Sequence, residues 1–209
     1  MRYLYIDTSS SYLYTAIVEN GKLLSEIKEE FGQSLSEVAL PKIASMFEKT
    51  NLEAKDIDKI IVVDGPGSFT GIRIGITIAK VYAWSLDIPI TTITSLEAMA
   101  LSSGEETVHV PMINARRGYV YTAIYDKDYN ELLKPQHMKL EDLLKELEKI
   151  NEYEFISNDK FEGIENIKEY NPNLEKIVNY FKDKDSVNPH AVNPEYLKLT
   201  AAEESKLWL

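Results

Sequence analysis

Residues Gly65-Pro66-Gly67-Ser68-Phe69-Thr70-Gly71-Ile72-Arg73-Ile74-Gly75 set four glycines between an apolar run and a long apolar segment. Glycines so placed are the raw material of a phosphate cradle, because bare backbone lets N–H groups approach phosphate oxygens. The spacing fits neither common form. A Walker loop needs four residues between glycines and then Gly-Lys-Ser/Thr; here five residues separate Gly65 from Gly71, and Ile72 follows. A dinucleotide fingerprint needs a small residue where Thr70 stands, and no strand–helix–strand unit with a ribose-binding acid clearly follows.

Other reactive side chains are sparse. The three histidines, His109, His137 and His190, are never four apart on a helix, so no metal pair is written and no metal site is expected. No Gly-x-Ser-x-Gly elbow occurs, which leaves nucleophile-elbow hydrolysis unsupported. Glu97 follows Thr94 at capping-box spacing, and helix capping accounts for it. Tyr119 and Tyr121 read as strand or hairpin packing. No catalytic residue and no cofactor is assigned.

The elements that must position these residues are legible through an internal repeat. Ile6-Asp7-Thr8 followed by Tyr12-Leu13-Tyr14-Thr15-Ala16-Ile17 recurs 107 positions later as Ile113-Asn114-Ala115 followed by Tyr119-Val120-Tyr121-Thr122-Ala123-Ile124. Each copy reads as three meandering strands, a helix, a strand and another helix. In the first copy Pro41 implies a kinked or late-starting helix. The second copy ends in a helix over 174–182. This order is the ribonuclease-H-like unit, duplicated as in actin-like and sugar-kinase ATPases (the ASKHA fold). An α/β fold of two lobes is expected, each with a mixed sheet and helices, over residues 1–103 and 104–209. The C-terminal segment is allowed to pack back on the first lobe.

In that superfamily the first hairpin of each lobe is a phosphate loop. Asp7, Thr8 and Ser9 occupy one such hairpin without a glycine, and the other has Asn114 in place of an acid that would favour Mg²⁺. Both departures weaken an ATP site. Asp7 is expected to cap a turn. Arg116 and Arg117 in the second hairpin are candidate contacts for an anion or tRNA.

The glycines make better sense along the helix. Gly71, Gly75, Ala79 and Ala83 recur every fourth residue and form a strip without bulk, with Ser68 or Thr70 as N-cap. Apolar residues surround most of the helix, and Arg73, Thr77, Lys80, Asp87 and Trp84 share the remaining sector. The strip, with Arg73 and Trp84, is expected to be a partner interface, and Gly75→Leu to block association while leaving the monomer folded.

Composition narrows the classes. The 209 residues carry 23 basic and 34 acidic side chains, a net charge of −11, so an unaided grip on nucleic acid is disfavoured. Cysteine is absent, which suits a reducing cytoplasm. No apolar run approaches the roughly 20 residues needed to span a bilayer, and the N-terminus does not read as a signal peptide.

Ile6-Asp7-Thr8-Ser9, the glycine-rich segment, Ser95 to Ala100 (SLEAMA), Asn114 to Tyr121 (NARRGYVY) and Pro194 to Lys198 (PEYLK) together resemble the TsaB family, also called YeaZ. The resemblance implies a bacterial cytoplasmic protein without catalytic residues of its own. It implies a role in making threonylcarbamoyladenosine beside the tRNA anticodon. The partners it implies are the catalytic paralogue TsaD and the ATPase TsaE, with tRNA met through the complex and a homodimer when alone. First-lobe helices form the interface in such proteins. The sequence departs from the family at Asn114, usually Asp, at Leu35-Ser36-Glu37, usually His-Ser-Glu, and at Lys198, commonly Arg. The alternatives are an ATP-dependent small-molecule phosphotransferase of the same superfamily and, further off, a glycoprotease-like peptidase.

Overall fold

The computed structural model describes residues 1–104 and 106–198; residues 199–209 of the expected second lobe lie outside the described residues. The chain opens with three antiparallel strands, β1 (Arg2–Asp7), β2 (Tyr12–Glu19) and β3 (Lys22–Glu30). It continues through α1 (Leu35–Thr50), β4 (Lys59–Gly65), α2 (Phe69–Leu86), β5 (Ile90–Thr94) and α3 (Ser95–Leu101). The first sheet has the order β3-β2-β1-β4-β5, with β1, β4 and β5 parallel. Strands β1, β2 and β4 are buried on both faces and read as nearly unbroken apolar runs, whereas edge strand β3 alternates with charged residues facing water. Helix α1 continues through Pro41 without interruption.

The second sheet repeats the plan with β6 (Val108–Asn114), β7 (Tyr119–Tyr125) and β8 (Glu131–Lys139), then α4 (Leu140–Leu147), β9 (Tyr153–Ile156) and α5 (Leu174–Phe181). Its order is β8-β7-β6-β9. The architecture is a duplicated ribonuclease-H-like, actin-like α/β fold. Helix α3 joins the halves: Ala98 and Leu101 pack on the first sheet, while Leu96, Met99 and Ala100 pack on the second. A helix apolar all round must be covered on more than one side, and the two sheets cover this one.

Two features depart from a literal repeat. Helix α5 does not cover its own sheet: Leu174, Ile177, Val178 and Phe181 pack on the first sheet against Tyr3, Tyr5 and Val18. Second, the repeated hairpins differ in register by one residue. Asp7 pairs with Tyr14 and Ile6 with Thr15, whereas Asn114 pairs with Val120 and Ile113 with Tyr121. A one-residue slip turns every side chain to the other face. Ile6 accordingly joins the core under α1 and α2, while Ile113 packs on the α3 side. The sequence match between Asp7 and Asn114 is therefore not a match in space.

The small-residue strip of α2 also lies elsewhere than expected. Gly71, Gly75, Ala79 and Ala83 are all buried, and they face the chain's own first sheet. The Thr8 hydroxyl donates to the Gly71 carbonyl at 2.7 Å. A Cβ on Gly71 would run into the Thr8 carbonyl oxygen, and one on Gly75 into Thr8 Oγ1, both well inside van der Waals contact. Gly71 and Gly75 are closed to a partner because Thr8 of the first hairpin already fills the groove they leave, and Ala79 and Ala83 are buried in the core of the first sheet. Gly75→Leu is therefore a folding mutation and not an interface mutation.

The collision at position 75 is with one atom, which makes it testable by a double-mutant cycle. Gly75→Ala is expected to cost about 1–3 kcal/mol in urea unfolding, as overpacking does. In a Thr8→Ala background the clashing oxygen is gone, and the added cost of Gly75→Ala should fall below about 1 kcal/mol. Equal costs in both backgrounds would place the constraint elsewhere.

Candidate functional site

The two hairpins and the start of α2 border a cleft of about 1080 Å³ between the sheets. Its first wall carries Ser9 to Tyr12 and Gly67 to Thr70; its second carries Ile113 to Arg116, Tyr121 and Asp159. The first hairpin is occupied by its own chain. Asp7 is buried; its Oδ1 accepts from the Ser9 N–H at 2.8 Å, and its Oδ2 from the Tyr5 hydroxyl at 3.5 Å. Burial raises the Asp7 carboxyl above its ordinary range, against the pull of the Ser9 and Tyr5 hydrogen bonds. The Ser9 carbonyl accepts from the Ser68 N–H at 2.6 Å, and Gly67 abuts the same oxygen. The glycine-rich segment thus docks on the first hairpin where phosphate oxygens would have to enter. Ser68 caps α2 by accepting from the Gly71 N–H at 3.2 Å.

The second hairpin is open. Asn114 Oδ1 accepts from the Arg116 N–H at 2.8 Å, and Asp159 accepts from the Asn114 N–H at 2.8 Å. Arg116 and Arg117 both hold positive φ, +67° and +53°, and their side chains are exposed. Among the described residues no group of three or more His, Cys, Asp or Glu is placed to hold a metal ion. With Asp7 turned inward and the first loop filled, these hairpins do not fit Mg-ATP, and no phosphoryl-transfer step is derived from them.

A Ser, His, Glu trio does occur at the junction of the lobes, but its order is wrong for hydrolysis. The Ser103 hydroxyl donates to Glu154, not to His109, and His109 Nδ1 sits 2.9 Å from the same carboxylate. Lys168 Nζ lies 3.2 Å from the other Glu154 oxygen. Although burial works the other way, these bonds hold the Glu154 carboxyl below its usual range. The group ties α3, β6 and β9 together. Thr94 and Glu97 form the expected capping box, with bonds of 2.6 and 3.0 Å.

The outer face of α2 offers a different kind of site. Trp84 is 68% exposed, Val81 58% and Phe69 55%, and Arg73 and Thr77 complete the stripe. Residues 187–196 run beside this stripe from its C-terminal to its N-terminal end. Val187 bridges to Ile90, His190 meets the Trp84 ring at 6.0 Å, and Lys80 Nζ donates to the Val192 carbonyl at 2.9 Å. Tyr196 stacks on Phe69 at 5.3 Å and accepts from Arg73 Nε at 2.9 Å, while the Arg73 guanidinium lies 3.7 Å from the centre of the Phe69 ring. Of the six residues expected at an interface, only Arg73 and Trp84 are on the surface. Exposed Phe69 and Val81, and the Tyr196 strap, escaped the sequence reading, because their outward orientation depends on which side Thr8 claims.

A family profile described as TsaD, tRNA N6-adenosine threonylcarbamoyltransferase, matches residues 27–203. The Bacillus subtilis (strain 168) protein named tRNA threonylcarbamoyladenosine biosynthesis protein TsaB is 33% identical, over 97% of this chain and 96% of that protein. The chain belongs to the TsaB family. The Escherichia coli (strain K12) TsaB is 32% identical over 62% of this chain and 57% of its own length. Among solved structures, YeaZ from Pseudomonas aeruginosa superposes with a TM-score of 0.70 at 19% identity, over 94% of this chain and 99% of that one. A P. aeruginosa protein described as similar to peptidase YEAZ gives 0.74 at 18% identity, with the same coverage. These TsaB-family likenesses support the two-lobed fold. No described helix is long and apolar enough to cross a membrane.

Two carboxylates give predictions. Asp7→Asn keeps an acceptor for the Ser9 N–H, the bond Asn114 already makes to Arg116, so the variant should fold within about 1 kcal/mol of the parent at pH 5. Failure to fold would contradict a turn-capping role. Asp64, at the end of β4, has a buried Oδ1 without a hydrogen-bond partner among the described residues. Desolvation first, then the Glu195 and Glu97 carboxylates, push its carboxyl up to about 7 despite a hydrogen bond from Thr92. A folded value above the unfolded one, near 4, means that ionised Asp64 opposes folding. The penalty is absent below about pH 4, grows up to about pH 7 and is constant above. Asp64→Asn should therefore gain roughly 2–4 kcal/mol relative to the parent between pH 4 and pH 8; a pH-independent difference in urea unfolding would refute this.

Proposed function

We propose that this chain serves the synthesis of threonylcarbamoyladenosine in tRNA as a noncatalytic subunit. It docks on a TsaD-like catalytic paralogue in the cytoplasm, with a TsaE-like ATPase joining the assembly and tRNA bound by the complex as a whole. Alone, it forms a homodimer through the same face. The observation that carries this reading is the outer stripe of α2, where Phe69, Val81 and Trp84 are exposed together beside Arg73. A folded subunit hides such side chains unless another surface covers them, and Trp and Arg are the residues that most often anchor interfaces. The filled first hairpin agrees with a subunit that supports chemistry done elsewhere.

In this reading the subunit presents a rigid surface. Thr8 and the two glycines hold α2 against the first sheet, so the helix reaches a partner without reorganising, which lowers the entropic cost of association. Tyr196 keeps the Arg73 guanidinium flat on Phe69, ready to meet a carboxylate or an aromatic ring of the partner.

Trp84→Ala is expected to weaken association with a purified TsaD-like protein at least about tenfold, measured by calorimetry, while the melting temperature of the isolated chain, taken at monomeric dilution, stays unchanged. Val81→Glu should do the same. Unchanged affinity in both variants would remove α2 from the interface.

A further inference from the structure

The segment beside α2 ends in a short span with an anchor on each side. Val192 is buried in the first core, and Lys80 Nζ of α2 holds its carbonyl at 2.9 Å. At the other end, Leu197 packs on the cluster that holds Leu96 and Met99 of α3. Between these anchors the chain crosses the end of β4. The Glu195 N–H donates to the Asp64 carbonyl at 2.8 Å. A Cβ on Gly65, where φ is +130°, would collide with the Glu195 carbonyl oxygen, so glycine at this position gives the span its seat. The next residue is Tyr196, which stacks on Phe69 and accepts from Arg73. The seating of Glu195 thereby sets the pose in which α2 presents Arg73.

A buried carboxyl lies under this seat. Asp64 Oδ1 is out of water and has no hydrogen-bond partner among the described residues. The charged and polar groups that face it come from three elements: Glu195 from the span, Glu97 from α3 and Thr92 from β5. Glu97 has a cation of its own, Lys184 at 3.6 Å, whereas neither Asp64 nor Glu195 forms an ion pair with a described residue. A charged Asp64 therefore meets two carboxylates and no neutralising partner. Lifting the span would admit water to Asp64 and take Glu195 away from it, and both changes favour the charged form. Two opposed effects meet at one residue: the main chain of Asp64 binds the span, and its side chain, once ionised, repels it.

We propose that residues 193–197 are a clasp on the α2 face, closed while Asp64 carries its proton and loosened when Asp64 is charged. This control rests on the α2 reading above and acts on the same face. Loosening releases Tyr196 from Phe69 and lets the Arg73 guanidinium leave the ring. The sign follows from linkage. The closed clasp holds the Asp64 proton more tightly than the open one, where the carboxyl returns toward its ordinary value near 4. The clasp is therefore tightest below about pH 4, loosens as the pH rises to about 7, and changes no further above that.

Hydrogen exchange of the isolated full chain at monomeric dilution, read by mass spectrometry and corrected for the intrinsic pH dependence of exchange, tests the clasp. Protection of residues 193–198 should fall at least about tenfold from pH 5 to pH 8. It should also stay below the protection of β4 at each pH, as a local opening requires. Asp64→Asn should keep the low-pH protection throughout. Glu195→Gln alters only an exposed side chain and keeps the test open should Asp64→Asn not fold; it should shrink the fall about twofold or more. A flat parental profile, an undiminished fall in either variant, or a span that exchanges only together with β4 each overturns the clasp. Calorimetry against a TsaD-like protein reads the consequence for α2. The affinity of Asp64→Asn relative to the parent, a ratio that cancels the partner's own titration, should rise about threefold or more from pH 6 to pH 8. A constant ratio overturns the control of partner binding. Unchanged affinity in Trp84→Ala and Val81→Glu sinks the α2 interface instead, and the exchange profile then decides the clasp by itself.

Discussion

Thr8 occupies a groove that exists because positions 71 and 75 have no side chain. Its hydroxyl is bonded to the Gly71 carbonyl and lies against Gly75, so the first hairpin sits directly on the backbone of helix α2. Much else follows from this contact. It draws the glycine-rich segment onto Ser9 and closes the first hairpin. It also fixes the rotation of α2, and so decides that Ile72 and Ile76 point inward while Arg73, Val81 and Trp84 point out. One packing event thereby removes the structure of a phosphate site and creates a presentable helix face.

The duplication has been put to unequal use. The first sheet is covered on both faces, because α5 from the second half crosses over to complete it. The second sheet is left with four strands. The register slip in its hairpin turns Asn114 and Ile113 to faces opposite those of Asp7 and Ile6, so the two hairpins differ in position as well as in the acid that only the first one carries.

Element order was legible in the sequence almost throughout, because hydrophobic period and turn residues are local signals. The capping box at Thr94 and Glu97 and the turn-capping of Asp7 were legible for the same reason. Four things were not. The side of α2 that faces inward is set by a contact 63 residues away in sequence, between Thr8 and Gly71, and a strip of small residues reads equally as a seat for a strand or for a partner. The destination of α5 was hidden, since an amphipathic helix records that it has an apolar face and not which sheet receives it. The register slip was masked by a perfect sequence offset, since side-chain identity repeats whether or not pairing does. The Tyr196 strap depended on two segments far apart in sequence meeting at Phe69 and Arg73.

The central claim is that the outward face of α2 is what this TsaB-family chain uses to join its assembly. Hydroxyl-radical footprinting of the intact chain, as a dilute monomer and with a TsaD-like protein, addresses it most directly, because the exposed Trp84, Phe69 and Tyr196 rings report their own solvent access. The account predicts that all three lose reactivity on complex formation while Leu132 on β8 does not. Protection at the cleft tyrosines with Trp84 still fully reactive would contradict it.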